Sequence, residues 1–438
     1  MGITFFENLI SDVERLTNGS ENLILGICFL IIFLVSSFLI IIRRYVDPYE
    51  IATAEGKSKK EKMPLVSFFV AVRNDEVAIV DCVKSMLKQT YRNREIFVID
   101  DYSEDNTSTI LKKEFGENPD VNIIYLKENV GKKRALAKAI QLSKGELFAF
   151  TDSDSVWEKD AIERVVAIFE NEPDVGAISG HCNAKNANTN FLTKIQNTWY
   201  EKQYRLRKGF ESVFRSVSCV SGPLACYRRK AVYNYIPGWE NDQFLGREFK
   251  FATDRIMTGF ALSGSQIGPR LKKQYSNSSF VKDENYPDRD WDVLYCNSAK
   301  AWTVVPDTIG GIITQKIRWN KSFIRNLFFT GTFYWRKPFP VALYYYLQII
   351  FVFAYPLLIT ALIGFLIFNG YSELLVFSLA LYGLISILMN SFVVSSNTNY
   401  LEPIFGSLMY HLIFQWLIFY SMITINNRDW KREIKKEG

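Results

Sequence analysis

The sequence predicts an α/β domain, a mostly parallel sheet flanked by helices, joined to transmembrane and interfacial α-helices. Three observations carry that expectation. Apolar runs alternate with amphipathic segments from Pro64 to Asn171, acidic residues close three of those runs, and several uncharged stretches are long enough to cross a bilayer.

The elements follow in chain order. Leu65–Val72 is an apolar run broken only by Ser67, and an amphipathic helix is expected near Glu76–Gln89. Glu95–Ile99 reads as a second strand, followed by a helix around Asn106–Phe115 and a strand over Val121–Leu126. A helix over Lys132–Leu142 and a buried strand over Leu147–Phe150 come next. Val156 to Asn171 then carries Ile162, Val165, Val166, Ile168 and Phe169 at helical spacing. Alternation at this spacing implies right-handed crossovers. No G-x-G-x-x-G follows the first strand, which disfavours a dinucleotide site.

Ligands of open α/β sheets bind at the carboxyl ends of the strands, so the residues there carry the functional reading. Arg73 closes strand one, Asp100-Asp101 strand two, and Asp152-Ser-Asp154 strand four. At i and i+2 in a turn, Asp152 and Asp154 reach one hard cation, Mg²⁺ or Mn²⁺, whose oxygen shell a diphosphate completes. A turn with an N-cap accounts for the same residues. Asp100 or Asp101 suits the hydrogen bonds of a uracil or ribose, and Lys132 or Lys133 opens a helix where phosphate is favoured. Downstream, Ser221-Gly222-Pro223 makes a loop where backbone approaches a ligand closely. Asp254 begins another helix, as a cap or as the general base for an acceptor hydroxyl. Gln315, Arg318 and Trp319 share one helical face at i, i+3 and i+4, with an indole suited to a sugar ring.

Composition sets the surroundings. Aromatic residues make up 15% and apolar residues 48% of the 438, unevenly spread. Leu23 to Ile42 carries no charge and is followed by Arg43-Arg44, so the positive-inside rule places the N-terminus outside and the next domain in the cytoplasm. Lys57, Lys59, Lys60 and Lys62 suit an anionic lipid surface, and the net charge of +6 needs no nucleic acid. Six cysteines without a C-x-x-C pair, and only His181 and His411, argue against zinc and for a reducing compartment. Ser322–Tyr334 reads as an interfacial helix, and Ala342–Phe368 and Leu374–Val394 as spans turning outside at Asn369-Gly370-Tyr371. Ile404–Ile425 is apolar too, but crossing there puts Lys431, Arg432, Lys435 and Lys436 outside, so a re-entrant or interfacial placement is favoured.

Asp100-Asp101, Asp152-x-Asp154, Ala-Thr-Asp254 and Gln315-x-x-Arg318-Trp319 together resemble the inverting, processive family 2 glycosyltransferases: cellulose, chitin and hyaluronan synthases. The likeness to bacterial hyaluronan synthases also rests on Gly180-His-Cys-Asn-Ala-Lys, Val220-Ser-Gly-Pro-Leu, Gln315-Lys-Ile-Arg-Trp-Asn-Lys-Ser-Phe and Ile423-Thr-Ile-Asn-Asn-Arg-Asp-Trp430. It covers roughly Pro64 to Trp430 and implies a GT-A type sheet. It further implies that Arg73, Asp100, Asp101 and Lys132 or Lys133 hold the uridine diphosphate, with Asp152 and Asp154 acting through the metal. Asp254 is then the base, and Gln315, Arg318 and Trp319 bind pyrophosphate and the acceptor end. Ser221, Gly222, Pro223 and Arg255 line the acceptor.

This chain departs from that pattern at Thr253 before the base, in a longer polar insertion over Ser265 to Asn297, expected as a surface loop or as a cover over the acceptor, and in its ending Trp430-Lys-Arg-Glu. It also has one span ahead of the catalytic domain where the streptococcal group has two. The expected organisation is an anchor over 1–44, a linker over 45–63, a cytoplasmic catalytic domain over 64–320, an interfacial helix over 321–341 and membrane helices with a basic tail over 342–438. The implied activity is polymerisation of UDP-sugars, with secretion of a hyaluronan-like or related β-linked chain by a multi-pass protein of the cell membrane, alone or as a homo-oligomer. Transfer of one sugar to a lipid or short glycan is the alternative.

Overall fold

The computed structural model describes residues 2–17, 21–54, 63–393 and 401–427. The lysine-rich stretch at 57–62 and the basic tail from 428 onwards lie outside the described residues.

Eight strands form one sheet: β1 (Val66–Val72), β2 (Arg94–Asp100), β3 (Val121–Tyr125), β4 (Leu147–Asp152), β5 (Ser155–Trp157), β6 (Val175–Ala184), β7 (Ala225–Arg228) and β8 (Asp292–Thr303). Their spatial order is β3-β2-β1-β4-β7-β6-β8-β5. Pairs among β1 to β4, and β6 with β8, are parallel, whereas β7 runs antiparallel to β4 and β6. Strand alternation sends β1 side chains to two cores. Phe68 and Val70 meet helices Ile79–Leu87, Thr107–Phe115 and Ala161–Asn171, and Phe69 meets helices Lys132–Leu142 and Thr253–Leu262. Each such fully buried side chain contributes about 1.5–3 kcal/mol of transfer free energy.

The structure revises three expectations. Asp152-x-Asp154 does not lead directly into a helix: Ser155–Trp157 first pairs with Ala301–Thr303, and the helix starts at Ala161. The polar stretch 265–297 is no loop. It holds helices Gly264–Gln274 and Ser279–Lys282 and the start of β8. The stretch read as a linker contains helix Pro48–Ala54, held down where Asp47 accepts from the Ser298 N–H at 2.7 Å and Tyr45 donates to the Tyr295 carbonyl at 3.0 Å.

Helix Ile309–Thr330 runs unbroken through Gln315–Trp319 and on into the stretch read as interfacial. It begins with Thr308 capping Gly311 N–H at 3.1 Å. Helix Thr253–Leu262 packs against it closely, since a Cβ on Gly259 would fall 2.3 Å from Phe329 Cε1. Farther along, Phe323 and Ile324 pack with Ile418. Among the described residues, Phe339–Phe368 and Glu402–Ile423 are long and apolar enough to cross a membrane. The second is interrupted by a tight turn at Phe414–Trp416, between helices Leu401–Leu412 and Leu417–Ile423.

Candidate active site

The parallel register puts the strand-end residues in one row: Val72 lies beside Asp100, and Ala71 beside Asp152. Asp152 pairs through Oδ1 with the Lys132 ammonium. Asp154 accepts from the Thr303 hydroxyl at 3.0 Å, a bond that ties the turn to the far end of β8. Against Asp152 lies Gly222: a Cβ there would sit 2.7 Å from Asp152 Oδ2, so only glycine brings this backbone so near the carboxylate. The Pro223 carbonyl accepts from Thr151 Oγ1 at 3.0 Å and Trp157 Nε1 at 2.7 Å, and this locks the loop to β4 and β5.

The end of β2 is already internally bonded. Asp100 accepts from Ser103 N–H at 3.0 Å and from the Ser108 hydroxyl. Asp101 accepts from the N–H groups of Val130 and Gly131 at 2.8 and 2.9 Å, bracing the loop that opens helix Lys132–Leu142. Burial raises the Asp101 carboxyl pKa despite those two bonds. Arg73 reaches Glu104 at 3.2 Å, and its buried Nε–H finds no acceptor among the described residues. Lys133 does not join the row. One residue on from Lys132, it turns about 100° around the helix and is buried 3.1 Å from Asp242 and 2.9 Å from the Phe249 carbonyl.

Asp254 sits in the first turn of its helix. Ala252, which precedes that turn, is buried and held at φ 61°, a left-handed conformation costing a non-glycine residue on the order of 1–3 kcal/mol. Asp254 Oδ1 accepts from Arg255 N–H at 3.0 Å, and Oδ2 accepts from the Cys219 thiol at 3.6 Å. Electrostatics join this carboxylate to the Asp152 pair. The buried Lys208 ammonium feels Cys219 and Asp254, and the buried Cys182 thiol feels Lys208, Asp152 and Asp154 in turn. Arg318 and Trp319 reach the same place through Tyr200. Burial raises its hydroxyl pKa, Asp154 adds to the rise and Arg318 opposes it; its ring lies 6.1 Å from Trp319. Gln315 is half-buried on the same helix. Arg255 turns toward the Phe323 ring, 5.9 Å away.

The donor set suits a small divalent cation in one respect: two carboxylates at i and i+2, each held by a neighbour. Among the described residues no group of three potential ligands occurs, so diphosphate oxygens and water are needed to complete such a shell.

Residues 67–236 match Glycosyl transferase family 2. The chain carries a family 2 glycosyltransferase domain. Hyaluronan synthase of Streptococcus pyogenes is 27% identical over 390 residues, covering 85% of this chain and 84% of that protein. The N-acetylglucosaminyltransferase of Rhizobium meliloti is 29% identical over 280 residues, 63% of this chain and 60% of that one. Among solved structures, the mannosyltransferase PcManGT of Pyrobaculum calidifontis, in complex with GDP-Man and Mn²⁺, superposes at TM-score 0.47 and 15% identity over 91% of this chain and 98% of its own.

Sequence reasoning about this glycosyltransferase missed Ser179, Tyr200, Tyr204, Lys208 and Thr303. Lys208 lies among charges in Glu-Lys-Gln-Tyr-Arg-Leu-Arg-Lys208 and resembles a solvated helix face. Ser179, a lone hydroxyl in the apolar run Val175–Gly180, was a legible signal.

Proposed function

We propose that the chain is a membrane-embedded, inverting and processive glycosyltransferase that polymerises sugars from UDP-sugar donors and passes the product outward. One observation carries this reading: Asp152, Asp154, Asp254 and Arg318, scattered over much of the sequence, share one electrostatic neighbourhood, with the Trp319 ring against Tyr200 at its edge, beside helices suited to a bilayer. Arg73 and the Asp100–Asp101 end of β2 frame the uridine, and Lys132 with the start of its helix takes the diphosphate. Asp152 and Asp154 are the residues that would hold Mg²⁺ or Mn²⁺, which when bound supplies Lewis-acid neutralisation of the leaving diphosphate. Asp254 accepts the proton of the acceptor hydroxyl as its oxygen bonds to the anomeric carbon and the diphosphate departs from the opposite face. Trp319 offers its indole to the acceptor ring, and Arg318 offers charge to the pyrophosphate.

Topology supports extrusion. The N-terminal helix Gly2–Thr17 meets the turn after Phe368, with Asn8 donating to Glu373 at 3.3 Å and Arg15 lying 5.3 Å from the Tyr371 ring. A shared outer face for both fits helices Glu21–Ile42, Phe339–Phe368 and Ser372–Val393 as spans, with the catalytic domain cytoplasmic. The test is UDP release by purified, lipid-reconstituted protein given Mn²⁺ and a panel of UDP-sugars, followed by sizing of the product. A polymer is expected. Single-sugar addition would replace this reading with the non-processive one, and no UDP release from any donor would end both.

A further inference from the structure

We propose that Lys208 is a positioning residue of the transfer site: its ammonium ties β6 to the Ser221–Pro223 loop and so fixes the wall between the Asp152 pair and Asp254. This rests on the reading of that site as the place of sugar transfer. Lys208 is 2% exposed, and its Nζ donates to Ser179 Oγ at 2.7 Å and Ser221 Oγ at 2.6 Å. It lies 4.1 Å from the centroid of the Tyr204 ring. Among the described residues no carboxylate comes within ion-pair distance of it. Burying a cation against two hydroxyls and a ring is costly, so its retention calls for a role beyond packing.

Geometry supplies the role. Ser221, which Lys208 grips, adjoins Gly222, whose missing Cβ would be 2.7 Å from Asp152 Oδ2. Ser179, the other hydroxyl, belongs to a central strand of the sheet. A shift of the ammonium therefore moves the loop relative to the metal-side carboxylate. Lys208 also closes a seven-residue π-helical stretch, Lys202–Lys208, whose widened turn sets where its side chain enters the core. Such stretches are rare and concentrate at functional sites.

Charge makes the tie responsive. The groups facing Lys208 are Tyr204 on its own segment, Ser179 and Cys182 on β6, Cys219 and Ser221 in the loop, Glu211 on the next helix and Asp254. Burial lowers the Lys208 ammonium to about 8, with Cys219, Asp254 and Glu211 opposing that fall. Below that pH the cation is present and grips both hydroxyls as a charged donor; above it the charge is lost.

The experiment follows UDP release by the full chain in lipid, with kcat and donor KM measured from neutral to alkaline pH. Lys208→Met is expected to lower kcat about 10- to 100-fold while donor KM stays within about twofold, as for misplacement of reacting groups. Lys208→Arg, which stays charged, is expected to restore most of kcat and to remove the alkaline decline near pH 8. If Lys208→Met does not fold, the Lys208→Arg pH profile decides alone. Full kcat in Lys208→Met, a loss confined to KM, or an unchanged alkaline decline in Lys208→Arg overturns the proposal. No UDP release by the unsubstituted protein overturns the functional reading with it.

Discussion

The two halves of the sheet solve the same problem differently. From β1 to β4 the strands are parallel, their registers are unbroken, and the two carboxylates at the end of β2 are held by backbone N–H groups. From β6 to β8 the directions are mixed, β8 slips register between Cys296 and Lys300, and the chemistry is placed by contacts between distant side chains. On the proposed reading the first half takes the uridine diphosphate common to all UDP-sugar donors, so it can be rigid. Acceptors and sugars differ, and the second half is where a change of specificity has room to occur.

That contrast can be broken most severely at Asp254. Asp254→Asn keeps the shape and removes the proposed base, so kcat for UDP release is expected to fall about 10²–10⁴-fold, with donor affinity little changed. Retained turnover would place the base elsewhere. A smaller effect is expected at Asp154. Asp154→Ala removes one of two carboxylates and frees Thr303, and the Mn²⁺ concentration for half-maximal rate is expected to rise roughly 10- to 100-fold, as for loss of a ligand or its support. An unchanged Mn²⁺ dependence would exclude Asp154 from the ion.

The smallest effect on rate is expected at Glu201, behind the site. Burial pushes its carboxyl up, but hydrogen bonds from His181, Asn183 and Arg205 outweigh this and hold it at about 2. A depressed folded-state pKa stabilises above the ordinary carboxylate range, and that contribution disappears as pH falls toward 2; it amounts to about 3 kcal/mol at neutral pH. Glu201→Gln is therefore expected to lower the thermal midpoint at pH 7 and to flatten its fall between pH 5 and 2. A wild-type slope in that range would show that Glu201 does not carry the acid sensitivity.

Legibility in the sequence followed the same division. The first four strands were readable because each is a short apolar run, and Asp100 and Asp152 at the ends of β2 and β4 marked the ligand edge. β8 was not: Asn297, Ser298 and Lys300 interrupt its apolar pattern where the register slips, and it was absorbed into a polar insertion. Lys132 and Lys133 could not be told apart as letters, because only the turn of the helix sends one to Asp152 and the other to Asp242. Asp254 was visible beside Ala-Thr, yet Lys208 was not, since a buried cation looks like any surface lysine until Ser179 and Ser221 are brought around it.

Helix Ile309–Thr330 deserves a mechanical reading. Its 22 residues make a rod about 33 Å long with no joint between Trp319 and the apolar contacts of Phe323 and Ile324. A rod transmits tilt instead of absorbing it. If the apolar segments lie in a bilayer as proposed, the lipid thickness that orients them is felt at the sugar as displacement, and synthesis rates in short-chain and long-chain lipids should differ even though no lipid touches the reacting atoms.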